Sequence, residues 1–487
     1  MQPPPEMDAQ VPVACDLAVV GAGPAGMAAA TLAAGLGVDV VLLDEGASPG
    51  GALAGGVKPQ STQQREVLDT DFCDAIELVS ALAAANVHVV PEARVCGIAK
   101  VGENFELCVV TRDAAKILHA RRVILATGAI ERPMPIRGVP LPGVMYAGAA
   151  QRLLGGTGQA PSGRVVLAGC GPLLYFVASQ MLAAGADVVA LLDTLNVRQF
   201  VRALPHAAAF MRSAYYKRGA RLLQEINERV PIHHDVVELA ALGNERLASV
   251  RFTANKRTTT LIADTLLLHQ GIVPDLNLAD SLGCALAWDE TLAGWTARID
   301  TWGESSVAGA YLAGDGASVA GARAAPPRGR IVALAAACAL GRIDATARDG
   351  AARLHRTTLA QALRGRRFLD RVYRAPERFR MPADDVIICA CEIVSAGEVV
   401  AAARQGAGPN QAKARLRCGM GPCQGRDCSL TVTELIGRER REQAQDVGRF
   451  RVRFPARPMT LAELASLPST AAERFAVARI DERDAEA

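Results

Sequence analysis

Apolar residues gather into short continuous runs separated by small-residue, helix-forming stretches. Residues 17–20 (LAVV) and 38–43 (VDVVLL) are such runs, and alanine and glycine fill much of the stretch between them. A strand covered on both faces needs no polar alternation, so the pattern predicts a strand–helix–strand unit in a parallel sheet. The same order recurs at 164–193, RVVLAGCGPLLYFVASQMLAAGADVVALLD, as an internal repeat of supersecondary structure. Residues 88–90 and 95–98 read as short strands, and 105–110 with 117–124 as an antiparallel pair. Helical periodicity covers 62–85 and 197–229. The fold class is therefore α/β, with two Rossmann-like units.

The first unit carries chemistry at its turn. Gly21, Gly23 and Gly26 stand in the spacing G-x-G-x-x-G, with Pro24 and Ala25 between the last two. The first glycine permits the tight turn, the second lets backbone approach a pyrophosphate, and the third lets helix pack on strand. The start of the helix then turns unpaired N–H groups and a positive dipole end toward the phosphates. The second strand ends in Asp44-Glu45, and either carboxylate can accept hydrogen bonds from ribose hydroxyls. Gly50 and Gly51 suit backbone passing close to a cofactor.

Two later stretches choose the cofactor. Residues 123–129, VILATGA, are a buried strand ending in Ala126-Thr127-Gly128. It resembles the segment that returns beneath the cofactor in flavoproteins with two dinucleotide domains. Residues 311–316, YLAGDG, end a strand in Gly314-Asp315, and a helix follows through GRIVALAAACALG. In FAD enzymes of this architecture that aspartate bonds the ribityl chain, and the helix dipole favours negative charge on reduced flavin. The three signals in this order predict FAD in the first domain, with Val95 also at its site. They imply that the second unit is inserted within the FAD domain.

In the second unit Gly169 and Gly171 keep the first two glycine positions, but Leu174 takes the third and is expected to move helix from strand. Asp193 ends its second strand. A nicotinamide dinucleotide site competes with a retained fold whose altered site holds only an adenine nucleotide, and the second reading is favoured. Cys170 has no cysteine partner nearby, and no cysteine pair follows Gly51, which disfavours disulfide-reductase chemistry. His269, on a buried run, reads as a satisfied core histidine. His233 and His234 are adjacent on a strand, point to opposite faces, and should not share a metal.

Composition narrows the class further. The 487 residues suffice for two or three domains. A net charge of +3 gives no reason to expect a nucleic-acid partner. The start, MQPPPEMDAQ, lacks the basic-then-apolar pattern of a secretory signal, and no run resembles a transmembrane segment. Cysteines in such a chain imply a reducing compartment, the cytoplasm.

Five of the twelve cysteines crowd into residues 386–428, VIICACEIVSAGEVVAAARQGAGPNQAKARLRCGMGPCQGRDC. Cys389 and Cys391 form C-x-C, and Cys418, Cys423 and Cys428 follow at x4 spacings. Thiolates this dense match iron–sulfur ligation, with zinc as the alternative. Five cysteines compete for four places. A helix from Ser395, with Glu398 completing a capping box, would bring two ligand turns together. Gly419, Gly421 and Gly425 would let backbone N–H groups reach cluster sulfurs. A [2Fe–2S] cluster suits a flavoprotein because it carries the single electrons a flavin collects or releases.

These stretches resemble the α subunits of heteromeric FAD- and [2Fe–2S]-containing amino-acid and imino-acid dehydrogenases, a family that includes opine (octopine or nopaline) oxidase, D-hydroxyproline dehydrogenase and hydrogen cyanide synthase. The resemblance runs from about residue 14 to 465. It rests on VVGAGPAGMAAA, ATGAIERPMPIRGVPLPGV, LAGCGPLLYFVA, LLHQGIVP, LAGDG and CAC…GMGPCQGRDC. The last is similar to the [2Fe–2S] domain of the bacterioferritin-associated-ferredoxin type. The family pattern C-x-C…C-x4-C falls on Cys389, Cys391, Cys423 and Cys428, leaving Cys418 spare. The resemblance also implies that Leu174 is typical and does not mark NAD use. It implies a separate FAD-bearing, amino-acid-oxidase-like β subunit that oxidises the substrate, and a small ferredoxin-like γ subunit.

The expected organisation is an FAD domain over 12–158 and 273–345, an inserted Rossmann-like domain over 159–272, a helical linker pair over 346–384, a [2Fe–2S] domain over 385–440 and a C-terminal arm over 441–487. The expected role is electron transfer within an amino-acid, imino-acid or opine dehydrogenase. The alternatives are a stand-alone NAD(P)H-dependent reductase and a structural assembly subunit.

Overall fold

The computed structural model describes residues 10–51, 70–112 and 114–468, with backbone alone for 70–74. At its centre lie parallel strands in the order His88–Val90, Val40–Leu43, Ala14–Val20 and Ala115–Leu125, with Ala310–Leu312 beside the end of the last. Their apolar runs are continuous because both faces are covered. Leu17, Val19 and Leu42 face the helices Pro24–Gly35 and Ala325–Ala339, whereas Ala18, Val20 and Val41 face a second core built around Phe105, Leu107 and Trp295. The two helices are made of small residues and approach closely: a Cβ on Gly329 would lie 2.1 Å from the Ala25 carbonyl oxygen. The second helix begins at Ala325, ahead of the GRIVALAAACALG stretch, since Pro326 and Pro327 suit a first turn.

Strand Ala115–Leu125 serves two partners on one side. Residues 115–120 pair antiparallel with Asn104–Val110, and 123–125 pair parallel with Ala310–Leu312. The expected antiparallel pair is thus part of a meander whose third strand, Arg94–Val101, forms the sheet edge.

The second sheet is parallel, in the order Ile232–His233, Asp187–Asp193, Arg164–Gly169, Thr265–His269 and Val144–Tyr146. Helices Pro172–Ala183 and Ala214–Arg229 cover one face through Val177, Met181 and Ile226. A three-stranded antiparallel sheet covers the other through Val236, Val250 and Phe252. Between 346 and 384 the chain makes three helices, Ala345–Ala362, Arg366–Val372 and Glu377–Arg380, where a pair was expected; Gly365, at φ +83°, turns the chain between the first two. A small module with its own core follows, built on helices Ala396–Arg404, Pro409–Leu416 and Ser429–Arg440. The arm then crosses strand Arg94–Val101: Ala456 N–H donates to the Cys96 carbonyl at 2.7 Å, and the Phe454 ring lies against Gly97. The start of the helix expected over 62–85 and the arm beyond residue 468 lie outside the described residues. Among the described residues no helix is long and apolar enough to cross a membrane.

Candidate functional site

A cleft of about 2310 Å³ opens at the carboxyl ends of the parallel strands and extends between the two sheets, the usual ligand position in such folds. Gly21, Gly23, Pro24, Ala25, Asp44, Glu45 and Gly51 line it, as do Val95, Ala126, Thr127, Gly128, Gly314 and Asp315. Gly26 does not. It stands behind the turn, where a Cβ would lie 1.8 Å from the Gly21 carbonyl oxygen. Gly21 has φ +105°, and its Cβ would strike the Ala126 carbonyl. Gly23 borders the cleft, and among the described residues nothing comes nearer its Cβ position than Gly51 Cα at 4.0 Å.

The two carboxylates after the second strand are engaged differently. Asp44 accepts hydrogen bonds from Ala22 N–H within the glycine turn and from Gly46 N–H at 2.8 Å. Burial pushes its pKa up against those two bonds. Glu45 is exposed and lies 3.7 Å from Arg457 of the arm. Asp315 accepts from Ala320 and Gly321 N–H at 2.7 and 3.0 Å, which shapes the loop before helix Ala325–Ala339. Thr127 Oγ1 donates to the Asp275 carbonyl at 2.8 Å, and Asp275 N–H donates to the Gly128 carbonyl at 3.0 Å.

The second glycine turn also borders the cleft, through Gly171, Pro172 and Leu173, but is more crowded. Gly169 packs against the His269 carbonyl, and the His269 ring lies 3.2 Å from a Cβ built on Gly171. Leu174 is fully buried, in the layer between helix and sheet. Asp193 is 1% exposed. It accepts hydrogen bonds from Tyr175 Oη and Leu195 N–H, each at 2.9 Å, and His234 Nδ1 lies 3.2 Å away. The carboxylate that would meet a ribose is therefore already partnered. His233 packs on Phe252, so the two histidines do diverge.

His269 is buried and paired, as read, and its partner is Glu131: Nδ1 and Oε1 are 2.7 Å apart. Glu131 also accepts Gly148 N–H at 2.8 Å, and both members of the pair line the cleft. Beside them Arg132 is buried with carbonyl partners, Leu292 and Ala293, and burial lowers its pKa to about 10. Glu131 and Arg132 follow the Ala-Thr-Gly strand directly and were not singled out by sequence. Their charge on a segment returning to the cleft was the available signal.

In the C-terminal module the sulfurs meet in pairs. Cys389 interacts with Cys428, and Cys391 with Cys423, strongly enough to move their acidities. The Cys428 thiol, together with the N–H groups of Gly419, Glu392 and Cys391, holds Cys389 down to about 6. The same interaction with Cys389, reinforced by burial, pushes Cys428 up. Burial raises Cys423 to about 11, partly offset by the N–H groups of Asp427 and Gly425. Cys418 is fully buried and raised by burial to about 12. Among the described residues no three histidine, cysteine or acidic side chains converge as ligands of one metal ion. Four thiols meeting two by two, with backbone N–H groups on the sulfurs, fit a binuclear iron–sulfur cluster, whose irons each take two cysteines. Gly419 and Gly425 are glycine for a further reason, since the Phe450 ring occupies their Cβ positions, and Gly421 packs against Cys391. Ser395 and Glu398 form the capping box.

The module docks onto the cleft. Asn277 Nδ2 donates to the Gln424 carbonyl at 3.2 Å, Tyr146 Oη to Asp427 at 3.2 Å, and Arg426 lies 3.7 Å from Asp275. Asp275, which sequence reasoning missed, thus touches the cysteine loop with its side chain and Gly128 with its backbone.

Residues 15–339 match the family model described as pyridine nucleotide-disulphide oxidoreductase. Among the opine oxidase A subunits, one from Rhizobium meliloti is 39% identical over 96% of this chain and 90% of that protein. The HcnB subunit of hydrogen cyanide synthase from Pseudomonas aeruginosa is 31% identical over 93% of this chain and 99% of that protein. Among solved structures, L-proline dehydrogenase from P. horikoshii superposes with a TM-score of 0.69 at 21% identity, over 93% of this chain and 79% of that one. This last likeness speaks to the fold alone. The chain belongs to the pyridine nucleotide-disulphide oxidoreductase family and, within it, to the family of the opine oxidase A subunits.

Proposed function

We propose that the chain is the FAD- and [2Fe–2S]-bearing electron-transfer subunit of a cytoplasmic heteromeric dehydrogenase acting on an amino acid, imino acid or opine. The observation that carries this reading is the junction at Asp275. One residue ties the cysteine loop, through Arg426, to the Gly128 backbone of the first glycine-turn cleft. Two redox groups so placed can exchange electrons without a mobile carrier.

The first half of the cleft supplies what FAD needs. Gly23 leaves backbone open for the diphosphate, and the helix after it adds its positive end. Asp44 and Glu45 offer acceptors for ribose hydroxyls, and Asp315 an acceptor for the ribityl chain. Bound flavin supplies conversion between electron pairs and single electrons. Cys389, Cys391, Cys423 and Cys428 would hold the cluster, which supplies one-electron storage. Burial in the module keeps water from the sulfurs of Cys389 and Cys428. The names of the relatives support a multi-subunit assembly. In the proposed complex a FAD-bearing β subunit resembling amino-acid oxidases oxidises the substrate, and a small ferredoxin-like γ subunit completes it. An adenine nucleotide remains the proposed occupant of the second fold.

The stand-alone reductase reading requires a working nicotinamide site at the second turn. The partnered Asp193 and the His269 ring over Gly171 weigh against it. Anaerobic titration of the purified chain with NADH and NADPH tests the choice. Flavin absorbance should persist with either nucleotide, and dithionite should then reduce both flavin and cluster. Rapid bleaching by NADH would overturn the reading.

A further inference from the structure

We propose that Arg457, carried by the C-terminal arm, is a binding residue of the FAD site, a cation placed for the cofactor's anionic diphosphate. The inference rests on the reading that FAD occupies the first half of the cleft. Arg457 lies far in sequence from the glycine turn, yet it lines the same cleft with its side chain 15% exposed. Its guanidinium sits between two acids of that half: Nη2 is 3.0 Å from Asp275 Oδ2 and 3.7 Å from Glu45 Oε2.

Contacts of the arm on both sides of residue 457 hold this group at the cleft. Ala456, the preceding residue, is fully buried and bonds its N–H to Cys96. Pro458 follows and restricts Arg457 to extended backbone. Farther along, Glu463 meets Arg94 at 3.0 Å, and Ser466 Oγ accepts Ala115 N–H at 2.8 Å. The arm is thus fastened on both sides of residue 457.

Charge completes the argument. The acids at this end of the cleft, Asp44, Glu45 and Asp315, suit sugar and ribityl hydroxyls but repel a diphosphate. Helix Pro24–Gly35 contributes only a partial positive charge there. Arg457 brings a full one. Asp275 is shared with Arg426, so one carboxylate faces two guanidinium groups, each with five N–H donors. The contacts of Arg457 with Asp275 and Glu45 both use Nη2, which leaves its other N–H donors for a ligand in the cleft that it lines. Asp275 therefore acts as a positioning residue that aims Arg457, with Arg426 of the cysteine loop holding the carboxylate from the other side.

The test uses the full chain, stripped of flavin and titrated with FAD while flavin fluorescence is followed. Arg457→Gln should weaken FAD binding roughly tenfold or more, the effect of losing a charge-assisted hydrogen bond. Arg457→Lys should recover part of the loss. Cluster absorbance and the unfolding temperature of the flavin-free chain should match wild type, which separates lost binding from lost folding. FAD should also slow tryptic cleavage after Arg453 in the wild type and not in the Gln variant. Wild-type uptake of FAD with unchanged affinity in Arg457→Gln overturns this inference alone. A wild-type chain that takes up no FAD overturns the cofactor reading as well.

Discussion

At the first glycine turn, a Cβ on Gly23 would meet nothing among the described residues nearer than Gly51 Cα at 4.0 Å; at the second, the His269 ring lies 3.2 Å from the same point on Gly171. The first turn's strand-end acids line the cleft, and Glu45 is exposed. The second turn's acid, Asp193, is buried under Tyr175. Yet Gly21 and Gly169 are alike. Each has φ above +100°, and each would drive a Cβ into a carbonyl of the neighbouring strand. The first glycine of the motif is thus an element of the fold and survives in both units. The second differs between the units, uncrowded by described residues at Gly23 and crowded by a histidine ring at Gly171. At Gly171 the His269 ring narrows the approach, while strand, helix and sheet remain.

Gly26→Val attacks the first turn where it is tightest, since a Cβ there would overlap the Gly21 carbonyl. It should destabilise the chain by roughly 4 kcal/mol or more and abolish FAD retention, as read by thermal unfolding and by flavin absorbance after gel filtration. Leu174→Ala, at the matching position of the second turn, should cost about 2–5 kcal/mol through the cavity it leaves. Flavin content should not change, and a loss of flavin there would break the distinction between the turns. Tyr175→Phe removes one partner from buried Asp193 and should cost about 1–3 kcal/mol. Nucleotide titration of this variant sharpens the comparison. Flavin should still resist NADH, because His269 continues to crowd Gly171.

Much of this arrangement could be read from sequence, and the unread part has a common cause. Gly21, Gly23, Asp315 and the Ala-Thr-Gly strand were legible because local spacing encodes a local turn. The four cysteines were legible as a module, and the resemblance to a family, rather than spacing, set Cys418 aside. Asp275, Glu131 and Arg457 were not found. Each is an ordinary charged residue that gains its place from partners far along the chain, His269 for Glu131 and Arg426 for Asp275. Leu174, expected to hold the helix away from the strand or to shift it, is buried in the layer between helix Pro172–Ala183 and the second sheet. The linker pair became three helices because Gly365 breaks the periodicity that its flanks share.

The hydrogen bond from Ala456 to Cys96 has a consequence for biosynthesis. Strand Arg94–Val101 is the rim of the central sheet, and its carbonyl at Cys96 is met by a residue made some 360 positions later. Until the ribosome has released residue 456, that rim is an open template for other strands. A product truncated ahead of the arm would leave the Cys96 carbonyl of that rim without its Ala456 partner.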